Sequence, residues 1–168
     1  MAITVEDGTI VSGADSYLSL SESDTIAEEL LLDPTEWTGL SDPDKEKYLK
    51  RATKEVDLKN NWNSEIKDRE QALAWPREEF KDVAGRTIKN DIVPQLVKEA
   101  TLFLAYNQAT EGSTFTVSPS VKSESYGDTS VEYSGVAGNS NGEADFFLRL
   151  LRQNGYSSGS SIVRVYRN

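Results

Sequence analysis

The chain of 168 residues contains no cysteine and no histidine. Without cysteine there is no disulfide framework and no thiolate to act as nucleophile or ligand. That fits synthesis inside a cell. Without histidine the commonest general base and the commonest metal ligand are missing, as is every Ser–His or Cys–His pairing. Catalysis would have to rest on carboxylates, lysine or an oxygen-bound metal, so a non-enzymatic role with no cofactor and no metal is expected. Long hydrophobic runs are also missing. Hydrophobic residues make up 37% of the chain, and no apolar run approaches the ~18–20 residues of a membrane span. No basic stretch followed by an apolar one opens the chain, so neither a signal peptide nor membrane contact is expected. The length suits one domain with at most an extension.

Positive charge is scarce at one end. Net charge is −10, and residues 1–46 hold 12 acids against a single base, Lys45, leaving the rest of the chain close to neutral. Residues 146–168 carry Arg149, Arg152, Arg164 and Arg167 with no acid. An acidic head and a basic tail suit head-to-tail contact between copies, or docking of the tail on an acidic partner. An ordinary solvated acidic face with an unremarkable tail accounts for the same numbers.

Hydrophobic spacing predicts a mainly α protein. Ile3, Val5 and Ile10-Val11 read as short extended pieces around Asp7-Gly8, and Ser16 to Leu20 alternate between polar and apolar. Ser21, with Asp24 three residues on, predicts a helix over about 22–32 that Asp33-Pro34 stops. Ser41 and Pro43 begin a helix over about 42–60, with Tyr48, Leu49, Ala52 and Val56 on one face. Residues 64–74 read as a weaker helix ending at Trp75-Pro76, because a proline drives the residue before it out of the helical region. Residues 78–91 are polar and mixed, with Gly85 as a breaker. The most hydrophobic helix is expected over about 92–110, with Pro94 in its first turn, and Trp75 is expected to pack beneath it.

Beyond residue 111 the composition turns to Gly and Ser. Strands flanking Gly127-Asp128 would make a protruding hairpin; a long loop is the other reading. A helix over about 143–153 follows, and then Ile162-Val163-Arg164-Val165-Tyr166-Arg167 alternates like a strand. Such a strand could pair with the sheet edge of a partner, pair within its own domain, or fray. The expected architecture is therefore a small helical bundle formed by 1–111 and 143–153, an inserted hairpin or long loop over 112–142, and an extended C-terminal strand within 154–168.

Motifs that would carry chemistry fail on inspection. Asp42-Pro43-Asp44 resembles the start of a calcium loop but lacks the glycine and the closing glutamate, and reads as a charged first helical turn. Ser64-Glu65-Ile66-Lys67 matches the Ser-x-x-Lys of some acyl enzymes without their companion motifs. Phosphate-loop and dinucleotide-binding glycine patterns are missing. Trp37, Trp62 and Trp75 could stack on bases. A pI near 4.6 opposes sustained phosphate contact, and the C-terminal arginines are the one cluster free of acids.

Three stretches together resemble a known family. Thr4-Val5-Glu6-Asp7-Gly8-Thr9 with Gly13-Ala14-Asp15-Ser16-Tyr17-Leu18-Ser19, then Gln71-x-Leu73-x-Trp75-Pro76-Arg77, then Ile92-Val93-Pro94 leading through Val97 and Ala100, look like the head–tail connector (adaptor) proteins of tailed bacteriophages. Proteins of this kind are often labelled DnaT-like single-stranded DNA-binding. The resemblance covers residues 1 to about 110. It implies a twelve-copy homo-oligomeric ring at the neck of the virion, made in the host cytoplasm, that joins the portal protein to a downstream tail or nozzle protein and lines the channel for passing double-stranded DNA. Within that picture Trp75, Pro76 and Arg77 are a structural anchor, and Ile162, Val163, Arg164, Val165, Tyr166 and Arg167 bind the portal or another partner. A single-stranded nucleic-acid-binding accessory protein is the alternative.

Overall fold

A computed structural model describes residues 2–110, 124–126, 129–131 and 142–158. The chain opens without a strand pair. Val5 makes only an isolated bridge to Ser16, and residues 6–11 wrap around the buried Glu6 side chain. Its carboxylate accepts the backbone N–H groups of Gly8 (2.8 Å), Ile10 (3.0 Å) and Val11 (2.9 Å). Three charge-assisted bonds to one carboxylate hold this turn more firmly than a short ladder would. The expected alternation over 16–20 is also replaced, since Ser16, Tyr17 and Leu18 are all fully buried.

Helix α1 spans Leu20–Leu30 and starts two residues earlier than its sequence predicts. Ser19, not Ser21, is the N-cap. Its hydroxyl accepts the Glu22 N–H while the Glu22 carboxylate accepts the Ser19 N–H, a complete capping box. Asp24 is thereby released for a different task, taken up below. A single turn, α2 (Thr35–Thr38), follows Pro34 and buries Trp37. Helix α3 (Asp42–Lys59) runs as predicted: Ser41 caps it, Pro43 occupies the first turn, and Leu49, Ala52 and Val56 are fully buried.

Helix α4 (Gln95–Thr110) starts just after Pro94, whose carbonyl accepts the first helical N–H groups from Val97 and Lys98. Val97, Ala100, Leu102, Leu104 and Ala105 are buried on several sides, as befits a helix surrounded by others. It packs most closely on α3 and then on α5 (Gly142–Gln153). Phe147 of α5 stacks on Phe103 of α4 with centroids 4.1 Å apart.

Among the described residues strands occur only as three two-stranded antiparallel pairs. β1 (Asn61–Trp62) pairs with β6 (Ser157–Ser158), tying the end of α3 to the chain beyond α5. β2 (Phe80–Lys81) pairs with β3 (Thr87–Ile88), with Gly85 at φ +79° in the turn. β4 (Glu124–Tyr126) pairs with β5 (Thr129–Val131), the strands expected on either side of Gly127-Asp128. The protein is mainly α with small hairpins, as its periodicity predicts.

The expected helix over 64–74 does not form. That segment is irregular, with Ile66 bridged to Arg77. Leu73 is its one buried apolar side chain, so a helix there would have almost nothing to bury. Its polar side chains compete for the backbone as well. Asp68 accepts the Glu70 N–H at 2.8 Å, and the Gln71 amide donates to the carbonyls of Leu73 (2.7 Å) and Pro76 (2.9 Å).

Candidate nucleic-acid interface

Aromatic stacking platforms need exposed rings, and the tryptophans do not supply them. Trp37 is fully buried, with its indole N–H donated to Asp24 at 3.1 Å; the same carboxylate holds the buried Lys45 at 2.8 Å. Trp75 is fully buried at the centre of a ring cluster, with Trp62 (5.4 Å, edge-on), Tyr156 (6.1 Å) and Phe80 (6.2 Å) around it. Its ring partners come from β1, β2 and the chain before β6, and Trp75 shares one core cluster with Val97, Ala100 and Leu104 of α4. Trp62 is half-buried in the same cluster.

The Trp75-Pro76-Arg77 corner contains a cis Trp75–Pro76 bond and is held by charge from beneath. Asp57 of α3 accepts the Ala74 N–H at 3.0 Å and the Tyr17 hydroxyl at 2.7 Å, while the Tyr17 oxygen accepts the Trp75 N–H at 3.1 Å. Arg77, buried, donates to the carbonyls of Ser64 and Ala74. Burial raises the Asp57 carboxyl to about 6, against the opposing pull of the Tyr17 and Ala74 hydrogen bonds and the Arg77 charge. Burial likewise lowers Arg77, and raises Tyr17 well above the usual phenol range with the charge of Asp57 adding to it. The anchor role expected for these residues suits this geometry, and a guanidinium committed to two carbonyls is poorly placed to receive a phosphate.

Exposed cations lie on several elements, Arg69, Lys81, Lys89, Arg149 and Arg152 among them, and four cations stand together on α3. Lys47, Lys50, Arg51 and Lys54 fall at i, i+3, i+4 and i+7 and share one face. With Pro43 and Glu46 they line a shallow open hollow. Lys47 and Lys54 are exposed, and the Lys47 ammonium lies 5.9 Å from the Tyr48 ring centroid. The opposite face carries Leu49, Ala52, Thr53 and Val56 into the core, so core packing aims the cations at solvent. The sequence reading missed this face because it counted charge by segment, where Glu46, Glu55 and Asp57 cancel the bases. The helical spacing was there to be read.

The expected partner-binding residues Ile162 to Arg167 lie outside the described residues. Among those described, no group of three or more acidic side chains is placed to hold a metal ion, and no helix is long and apolar enough to cross a membrane.

A mainly helical domain presenting one cationic helix face is the class of protein these observations define. The family described as "Putative DnaT-like ssDNA binding protein" matches residues 1–168, and the chain belongs to that family. No curated protein and no solved structure matches the chain.

Proposed function

We propose that this protein works without catalysis of its own, by holding single-stranded DNA weakly through its phosphates along the outer face of α3. The observation that carries this reading is the alignment of Lys47, Lys50, Arg51 and Lys54 on one face of an otherwise acidic molecule. The family description supports it. The net charge of −10 repels a polyanion at long range. At 0.1 M salt, however, charges are screened beyond about 10 Å, so the local cations govern a strand already in contact. With Trp37 and Trp75 buried, binding rests on backbone charge and carries little base preference.

Anisotropy titration of a labelled oligo(dT) against salt tests the reading. Each neutralised phosphate of a single strand contributes about −0.7 to the slope of log K against log salt, so a slope of about −2 to −3 is expected. Lys47→Glu with Lys54→Glu should remove binding and leave the melting temperature within a few degrees. No binding at about 50 mM salt, or binding that the double variant leaves intact, overturns it.

A second reading is favoured by the separation of charge on the folded surface. Glu28, Glu29, Asp33 and Glu36 are exposed on α1, α2 and their connection, and Lys47 and Lys54 are exposed on α3. Opposite charges at different places on one domain suit heterologous contacts that close a ring. In that reading the protein is the structural adaptor of a phage neck. It joins portal to tail, lines the channel for passing duplex, and uses Ile162 to Arg167 on the portal. Co-assembly with a portal protein, combined with equal affinity for duplex and single strand, would favour it over the first.

A further inference from the structure

Helix α5 has an open face. Leu148 and Leu151 are buried and Phe147 stacks on Phe103, which turns Phe146, Arg149 and Arg152 outward. Phe146 is 53% exposed. Among the described residues neither guanidinium makes a hydrogen bond or an ion pair. Lys50 on α3 differs, because its ammonium lies 2.7 Å from Asp15 Oδ2. The opposite chemistry stands where α1 passes into α2. Leu32 is 97% exposed and Leu30 42%. Glu28, Glu29, Asp33 and Glu36 are exposed around them, and among the described residues no cation pairs with any of the four. An open ring beside two unpaired cations, and two open leucines among four unpaired acids, match in both polarity and charge. Aromatic and arginine side chains also supply much of the binding energy at protein interfaces.

We propose that the open face of α5 docks on the α1–α2 corner of a second copy of this chain. Phe146 is set against Leu30 and Leu32, and Arg149 and Arg152 against Glu28 and Glu36. This rests on the adaptor reading above and deepens it: the acids keep their place in the contact, and the cations that answer them move from α3 to α5. The α3 cations offer charge alone, whereas α5 offers charge around an apolar centre that Leu32 matches. A nucleic acid suits the α5 face less well, because the chain around it has a net charge of −10. Each copy presents both surfaces, so the contact repeats from copy to copy. Exposed ion pairs contribute little each. The ring and the leucines, once removed from water, supply most of the affinity, and the charges set orientation.

Charge reversal in the full chain, read by sedimentation velocity over a concentration series, tests this. Arg149→Glu with Arg152→Glu reverses one surface, and Glu28→Arg with Glu36→Arg reverses the other. Wild type should associate, and each double variant alone should sediment as a monomer because like charges then face each other. Their equimolar mixture should associate as wild type does, since both of its contacts again join opposite charges. Lys47→Glu with Lys54→Glu changes net charge by the same amount as the arginine pair and should leave association in place. Leu32→Ser should weaken association by about tenfold or more, with an unchanged melting temperature. Double variants that associate like wild type, or a mixture that stays monomeric, overturn this contact while assembly through another surface stands. Association lost in the α3 pair and kept in the arginine pair overturns it in favour of α3. Oligo(dT) binding lost in the arginine pair, with self-association kept, makes α5 a DNA contact and overturns it too. Wild type that stays monomeric up to about 1 mM also overturns the contact; co-assembly of that monomer with a portal protein would leave the adaptor reading standing.

Discussion

The Tyr17 hydroxyl donates to Asp57 at 2.7 Å and accepts the backbone N–H of Trp75 at 3.1 Å. One oxygen thus joins the N-terminal segment, α3 and the Trp75 corner. Two of the stretches that carry the family resemblance meet at this oxygen, far apart in sequence but touching in space. Tyr17→Phe keeps the ring in the core and removes that oxygen. The buried Trp75 N–H then loses its acceptor, which costs about 1–3 kcal/mol. Urea unfolding should show a lower midpoint with an unchanged m-value. A midpoint equal to wild type would mean that the corner is held by packing alone.

The Asp57 carboxyl gives a pH dependence whose sign is unusual for a carboxylate. Its folded value of about 6 lies above the ordinary value, so between roughly pH 6 and pH 4 the folded protein binds a proton that the unfolded chain does not. Stability from this group therefore rises as pH falls through that window. Glu22 acts in the opposite direction. Its burial is outweighed by hydrogen bonds from Lys98 and Ser19, its carboxyl is lowered, and its contribution is lost on acidification. The difference between wild type and Asp57→Asn isolates the Asp57 effect. Wild type should gain on the variant from pH 7 to pH 4, by at most roughly 3 kcal/mol at 1.36 kcal/mol per unit. Denaturant melts at four or five pH values would show it, and a flat difference would refute it.

Trp75 touches three other rings of the cluster and is fully buried. Trp75→Ala should cost about 3–5 kcal/mol, from lost burial and the cavity left between Trp62, Phe80 and Tyr156. Thermal denaturation by circular dichroism checks this. A variant that melts like wild type would show that the cluster contributes little to the fold.

Gly8 has φ +104°, and a Cβ there would stand 2.2 Å from the Asp91 carbonyl oxygen. Gly8→Ala is strained both by its backbone and by this contact, so it should destabilise by about 1–3 kcal/mol. Gly13→Ala provides the comparison. Gly13 also has positive φ, at +71°, but no neighbour lies within reach of its Cβ. Gly8→Ala should therefore lower the melting temperature more than Gly13→Ala; the reverse order would contradict the close approach at Asp91.

Helices α3 and α4 were legible because each has a cap or a proline at its start and an apolar stripe long enough to set its phase. The weak helix expected over 64–74 failed because Leu73 was its one residue with a core to reach, and Asp68 and Gln71 bind backbone groups that a helix would need. The start of α1 was misplaced because Ser19 and Ser21 each have an acid three residues on. Glu22 reaches back to close the box, and Asp24 is claimed by Trp37 and Lys45 from elsewhere in the fold. Sequence offers no way to see that claim.

By itself, the sequence determined that this is a mainly α chain without thiol or imidazole chemistry, acidic at its head and carrying four cations at helical spacing on α3. Those properties depend on composition and on neighbours within a turn or two. Tertiary structure decided which groups reach solvent. It set Trp37 against Asp24 and Trp75 against Trp62 and Tyr156, each 13 or more residues away, set Asp57 under the corner, and brought Asp15 to Lys50. Each of these depends on two distant segments meeting, which no local pattern encodes.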